Sequence, residues 1–356
     1  MPLSQAQRTL FNKARMLGAG KQGIALDDRE CSYLVAIIAE DLDLLDQFRE
    51  LPQNIPSFFK TDNVAAIGLP EGDPLQLFER LVGMNADADT YFYCLATLHK
   101  SRLKYQRILR TQPLPTIDQV GPRGLLQYGS MADSALAGFL FWRKWMFDID
   151  NRAGQETGYL FEPIIAQAIG GTPAGAARSP VYRAGDRTRG ARQVDCIREG
   201  AAYEIKIRVT IAASGQGRWS EELAFPADCR ASSFKPILVV LDPTENEKLS
   251  ALKKAFEEQG GDWFVGPQAW EHLGGLAGNT MARFLDLYVH TPIRALLSEA
   301  PKGHDLPTLT MRMDGTQAII EVAGDRYSFP RTPERDETTE APDAIPDDVD
   351  GEVYGI

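Results

Sequence analysis

The sequence predicts an α/β fold, a mixed-sheet core flanked by helices, with a helical N-terminal region before it and a small C-terminal β-meander after it. Three observations carry this. Between about 194 and 265 the pattern runs hairpin, helix, buried strand, helix, strand. Apolar stripes at helical spacing fill the first third, and short alternating runs divided by turn residues occupy 308–329.

Glu30 to Phe48 places Leu34, Ile37, Ile38, Leu42, Leu45 and Phe48 on one helical face before a break at Pro52 and Pro56. Helices over 74–82 and 90–110 follow, and Pro113, Pro115 and Pro122 mark a boundary. A helix over 131–147 carries Trp142 and Trp145 as core or dimer contacts. The next, 156–169, has Leu160, Phe161, Ile164, Ile165 and Ala168 at helical spacing with Glu162 beside them, and Pro163 either kinks this helix or starts it. The Gly- and Ala-rich piece 170–190 reads as a mobile loop. A strand at 201–210, a helix at 219–230 and the continuous apolar run Pro236 to Leu241, a strand buried on both faces, come next. Strong helix formers from Glu245 to Gln259 stop at Gly260-Gly261 before a short strand at 263–265. Strands at 308–313, 316–322 and 327–329 form the meander.

Composition fits a soluble intracellular protein: 44% hydrophobic and 24% charged residues over 356 positions is globular usage with room for two domains. No apolar run approaches the roughly 18 residues that a membrane span needs, and the start Met1-Pro2-Leu3-Ser4-Gln5 is no signal peptide. Cys31, Cys94, Cys196 and Cys229 are scattered without a CxxC pair, so neither a disulfide framework nor a zinc site is indicated. His99, His272, His290 and His304 lack HxH or HExxH spacing, which excludes the common histidine metal sites. The net charge of −11 is concentrated at the end: nine acids against Arg335 over 332–356 leave only −3 for the rest. This Pro-rich acidic tail has no apolar period and is expected to be disordered.

The hairpin holds the chemistry. Asp195 precedes Tyr203-Glu204-Ile205-Lys206, and 204 and 206 share a strand face. A two-residue turn at Glu199-Gly200 sets 195 across from 204, because equal offsets from the turn pair. Two carboxylates and an ammonium then converge on one patch, which suits a hard divalent cation held by oxygen ligands and the hydrolysis of a phosphodiester. In that register Cys196 and Ile205 point to the core, and Ile207 and Val209 continue the apolar face. A three-residue loop at Arg198-Glu199-Gly200 would instead pair 195 with 203 and dissolve the patch. Without further context the same residues read as ordinary charges on an amphipathic strand.

The α-β-β-α-β order around Asp195 and Glu204-Ile205-Lys206 resembles the PD-(D/E)XK, or restriction-endonuclease-like, fold. Gln155 to Pro163, Arg192 to Cys196 and Ile207 to Arg218 are similar to the ApaLI-like type II restriction endonucleases, over roughly 125–290. Val194 stands where the superfamily's name has proline, a departure of no chemical weight. The resemblance implies a Mg²⁺-dependent endonuclease that cuts double-stranded DNA at a short palindromic site, GTGCAC, leaving 5′-phosphate and 3′-hydroxyl ends. Asp195, Glu204 and the Ile205 carbonyl would hold the metal. Lys206 would orient the attacking water or stabilise charge on the phosphate, with Glu162 behind on a second cation or a water. A palindrome implies a homodimer. A cytoplasmic bacterial enzyme with a cognate DNA methyltransferase as genetic partner follows from the same resemblance.

Basic residues flank the acids: Arg187, Arg189, Arg192, Arg208 and Arg218 are expected on phosphate, as are Lys104 and Arg107 at a helix end. Ser214 and Gln216 stand in a glycine-containing loop that lacks the Lys-Ser/Thr ending of a P-loop and is expected to face DNA. The expected division is a helical region 1–124 for DNA contact or dimerisation, a nuclease core 125–295, a β-rich region 296–331 and the tail 332–356. A DNA-repair or mobile-element nuclease of the same fold, or a catalytically silent DNA-binding protein, fits the same residues.

Overall fold

The computed structural model describes residues 2–16, 23–60, 64–185, 190–207, 216–299 and 305–332. The acidic tail expected at 332–356 lies, after its first residue, outside the described residues, as do Val209, Arg187, Arg189, Arg208 and Ser214. The described residues divide into two compact units, one within 1–100 and 160–297 and the other within 101–159 and 298–332. The divisions at 100/101 and 159/160 fall inside long helices and that at 297/298 inside a short one; the sequence predicts boundaries at 124/125, 295/296 and 331/332.

The helices of the first third are α1 (Gln5–Arg15), α2 (Asp28–Asp41), α3 (Pro74–Met84) and α4 (Ala88–Thr111). Capping explains where the first three begin. Ser4 with Gln7 and Asp27 with Glu30 form reciprocal capping boxes, and Asp73 caps α3 ahead of Pro74 at the first helical position. After a single turn, α5 (Ile117–Val120), comes α6 (Asp133–Ala168), 36 residues long. Two helices were expected there. They are one, because neither Gly154 nor Pro163 stops it, and Pro163 lies within the helix.

The first unit holds a five-stranded sheet in the order β1 (Thr172–Ala174), β2 (Val194–Arg198), β3 (Ala201–Lys206), β4 (Lys235–Val240), β5 (Asp262–Val265). The pairs β1/β2 and β2/β3 are antiparallel, and β3/β4 and β4/β5 are parallel. The parallel pairs need crossovers, which are α7 (Gln216–Ala231) and α8 (Glu247–Glu258). Leu238 and Val240 of β4 pack with Phe225 and Cys229 of α7 and Leu249, Leu252 and Phe256 of α8. The opposite face meets α9 (Pro267–Leu285), whose His272 ring lies 3.8 Å from Phe264 and 6.1 Å from Tyr203 between centroids. β4 is therefore buried on both faces, as its unbroken apolar run requires. β1 lies in the segment that composition predicts to be loop; it is an edge strand only three residues long, where Pro173 is tolerated.

A π-helical turn, Asp286–His290, links α9 to α10 (Thr291–Ser298). In the second unit β6 (Leu309–Asp314), β7 (Gln317–Val322) and β8 (Asp325–Pro330) form the expected antiparallel meander. Its core is Leu109, Trp145, Ala318 and Phe329, so Trp145 is a core residue. Arg331 donates to the carbonyl oxygens of Leu109, at 2.8 Å, and of Gln112. Among the described residues no helix is long and apolar enough to cross a membrane.

Candidate active site

The turn between β2 and β3 is the two-residue one. Glu199 (φ 47°) and Gly200 (φ 79°) both take left-handed backbone, the signature of a type I′ hairpin. Register follows: Arg198 pairs with Ala201, Ile197 with Ala202 and Cys196 with Tyr203. One further step would bring Asp195 across from Glu204. The three-residue loop that would have dissolved the patch is not formed.

At that step the ladder opens. Between the pairs Thr172–Ile197 and Ala174–Val194, β2 has two residues, Asp195 and Cys196, where β1 has one, Pro173, a bulge that re-aims the chain around Asp195. The Ile205 N–H, which a regular ladder would give to a β2 carbonyl, donates to the Asp195 carboxylate at 2.8 Å. In a strand the N–H and C=O of one residue leave from the same edge, so the Ile205 carbonyl faces the same gap. The neighbouring residue obeys the alternation, since the Lys206 carbonyl turns to β4 and accepts from the Leu241 N–H at 2.9 Å.

Glu204 and Lys206 pair in register with Leu238 and Val240 and so stand on the α7 side of the sheet. Lys206 Nζ lies 2.9 Å from Glu204 Oε1 and 3.4 Å from Glu222 Oε1 of α7. Cys196 and Ile205 are buried, as the register argument requires, and a Cβ on Gly171 would come within 2.1 Å of Cys196 Sγ. Only glycine lets the chain leaving α6 pass so close beneath β2.

Burial, and after it the charges of Glu204 and Glu162, push the Asp195 carboxyl well above the ordinary aspartate range; the Ile205 N–H and Lys206 oppose this less strongly. Burial disfavours the Lys206 charge, but the carboxylates of Glu204 and Glu222 outweigh it and hold the ammonium protonated. Glu162, on α6 beside Pro163, thus acts on Asp195 through its charge without being the largest influence.

The donor set around the gap is all oxygen and carries more negative charge than Lys206 balances. That chemistry suits a hard divalent cation. Among the described residues no three His, Cys, Asp or Glu side chains group to hold a metal by themselves.

The expected DNA-facing residues do not behave alike. Arg192 is turned inward: it pairs with buried Asp228 of α7, donates to the Glu221 carbonyl and stacks over Phe225 at 5.6 Å. Asp228 also accepts from the Ala184 N–H at 2.6 Å, which with the Tyr182–Ala191 bridge pins the base of the arginine-rich segment onto α7. Lys104 pairs with Glu156 at 2.8 Å and, like exposed Arg107, belongs to the second unit. Gln216 and Arg218 open α7.

Two groups escaped the sequence reading. Asp228 and Glu222 sit on helical turns of α7 facing the core, Glu222 three and seven residues before buried Phe225 and Cys229. A charge on an apolar stripe was the available signal.

Comparison with known proteins agrees with this geometry. A family model described as ApaLI-like restriction endonuclease matches residues 72–290. The chain is 49% identical over 266 residues, 71% of each protein, to the type II restriction enzyme ApaLI of Acetobacter pasteurianus. No solved structure matches significantly.

Proposed function

The chain belongs to the ApaLI-like restriction endonuclease family, and from that premise we propose that it hydrolyses both strands of duplex DNA at one short palindromic site in the presence of Mg²⁺. The observation that carries the reading is the opened ladder, where Asp195, Glu204 and the Ile205 carbonyl border one gap with Lys206 beside it. Asp195, Glu204 and Ile205 are the residues that would hold the cation. When bound, a divalent cation supplies positive charge that lowers the proton affinity of water and neutralises the phosphate under attack.

Lys206 keeps its proton between two carboxylates. It therefore acts as a hydrogen-bond donor, orienting the attacking water or stabilising charge on the phosphate, and not as a base. Glu162 stands behind Asp195 and reinforces the negative field there. Hydrolysis on this plan leaves 5′-phosphate and 3′-hydroxyl ends. Two copies related by a dyad would cut the two strands of a palindrome. GTGCAC, the sequence that the family resemblance implies, is part of the proposal, as are work in the bacterial cytoplasm and a cognate methyltransferase as genetic partner. Arg107, Arg187, Arg189, Arg208, Arg218, Ser214 and Gln216 are the proposed DNA contacts. Arg192 instead braces β2 against α7, and Lys104 would have to leave Glu156 to join them.

Digestion of sequenced plasmid DNA by the purified chain, with and without Mg²⁺, followed by mapping of the ends, tests this. Discrete fragments ending at one palindrome are expected. Structure-dependent nicking would place the chain with repair nucleases, and binding without cutting would make it catalytically silent; either overturns the reading.

A further inference from the structure

Glu222 is the feature of the site that the mechanism above leaves unused. It projects from α7 on the stripe that holds Phe225 and Cys229, both buried, so its carboxylate is brought to the sheet when the helix packs. Its neighbour Glu221 is engaged elsewhere, within 3.4 Å of Arg183 and 3.3 Å of Arg192. Glu222 reaches Lys206, and the three side chains Glu204, Lys206 and Glu222 are similarly recessed, 19%, 18% and 20% exposed. One ammonium is thus held from two sides, by an acid on its own strand and by an acid on the helix.

We propose that Glu222 is a positioning residue for Lys206, holding the ammonium from the α7 side so that Glu204 can turn to a cation without releasing the lysine. The proposal rests on the nuclease reading above. Its physical basis is the length of lysine: a flexible four-carbon stem with a rotating head has no fixed aim of its own. If Glu204 were the sole anchor, the cation that engages Glu204 would set Lys206 adrift at the moment its direction matters. Small misplacements of a reacting partner are costly, about 100-fold for 1 Å. A second anchor on a packed helix removes that conflict. The separation of Glu222 from Lys206 in sequence places this anchor on a different element from the hairpin, so hairpin and helix must be docked before the lysine is aimed.

The test compares full-length wild type with Glu222→Gln and Glu222→Asp in three measurements: single-turnover cutting with Mg²⁺, DNA binding without divalent cation, and direct Mn²⁺ binding. For the Gln variant we expect cutting slowed about 10- to 100-fold, DNA and Mn²⁺ affinities within about twofold of wild type, and partial recovery in the Asp variant, which keeps the anion. If the Gln variant melts early, Glu222→Met, apolar and of similar length, replaces it with the same expectations. Cutting within twofold of wild type overturns the proposal, and so does an Asp variant as slow as the Gln variant. A tenfold or greater loss of Mn²⁺ affinity makes Glu222 a cation ligand and overturns it as well. Failure of the wild type itself to cut would instead defeat the nuclease reading, so the two failures are separable.

Discussion

The β2–β3 and β7–β8 hairpins begin alike and end differently. Each turns through two left-handed residues, Glu199-Gly200 in one and Ala323-Gly324 in the other. In the second, pairing continues regularly for six residues, from Val322–Asp325 to Gln317–Pro330. In the first it stops after three. Both also carry acid and base on a strand. Glu321 faces Arg326 across the ladder and pairs with Arg312 at 3.2 Å, with side chains 35% and 54% exposed. Lys206 and Glu204 are only 18% and 19% exposed and border an opened ladder. Alternating charges on a strand therefore mean little by themselves. What distinguishes the candidate site is recession from solvent, an excess of carboxylate and a backbone edge left for something other than a strand.

The largest expected effect separates the two hairpins by activity. Asp195→Ala, Glu204→Ala and Lys206→Ala should each slow cutting by at least the order of 10²–10⁴-fold associated with a positioned catalytic group, while DNA binding persists. Arg312→Ala and Glu321→Ala should leave cutting unchanged and shift stability by less than about 1 kcal/mol, as exposed pairs do. Any one of the three site variants cutting within about tenfold of wild type, ~1.4 kcal/mol of barrier, would strip that residue of its role.

Next in size is Gly171→Ala. The added methyl meets Cys196 Sγ at 2.1 Å with backbone oxygens nearby, so the strand under Asp195 has to shift. Loss of about 1–3 kcal/mol is expected, read as a lower denaturation midpoint; an unchanged midpoint would mean that β2 yields freely.

A smaller effect comes from Asp195 itself. Its carboxyl is raised, so the folded chain keeps that proton to higher pH than the unfolded one. Ionising it works against the fold above the raised value, and the penalty vanishes below the ordinary 3.8. Asp195→Asn should therefore melt higher at neutral pH, with the gain shrinking as pH falls toward that ordinary value. A gain that grows on acidification would reverse the sign of the argument.

The smallest effect should be the same in both hairpins. Glu199 and Ala323 sit in left-handed backbone that costs a side-chain-bearing residue roughly 1–2 kcal/mol, and asparagine tolerates it better. Glu199→Asn and Ala323→Asn should each stabilise by about 0.5–1 kcal/mol. Unequal gains would show that the Glu199–Arg198 ion pair, 3.1 Å long, matters to the turn.

What was legible in the sequence was local. Glu-Gly between two apolar runs offers a two-residue turn, and period-2 counting from it gives the facing of Asp195, Glu204 and Lys206, but the chain alone left the three-residue loop open until the left-handed backbone of Glu199 and Gly200 decided between them. The continuous run Pro236 to Leu241 announces a doubly covered strand. What stayed hidden depends on partners far along the chain. Arg192 looks like a loop cation until Asp228, 36 residues on, meets it. Lys104 needs Glu156, and Glu222 needs the docking of α7 on β3. The length of α6 was missed for a different reason: Gly154 and Pro163 weaken a helix intrinsically, but tertiary packing of Ile164, Ile165 and Ala168 outweighs local preference. The bulge in β2 has no composition signal at all, since it is created by the pairing with β1.

All four cysteines are reduced and buried, and burial holds the thiols of Cys196 and Cys229 up to about 12, far from the thiolate that alkylating reagents attack. Cys196 lies in β2 of the hairpin and Cys229 lies in α7, so the protein carries a native clock at each of the two elements that meet at Lys206. The pace at which a thiol reagent modifies each one measures how often the packing around that element opens. If both clocks run at one rate, hairpin and helix open as a single body; if Cys229 runs faster, α7 departs first and takes Glu222 with it.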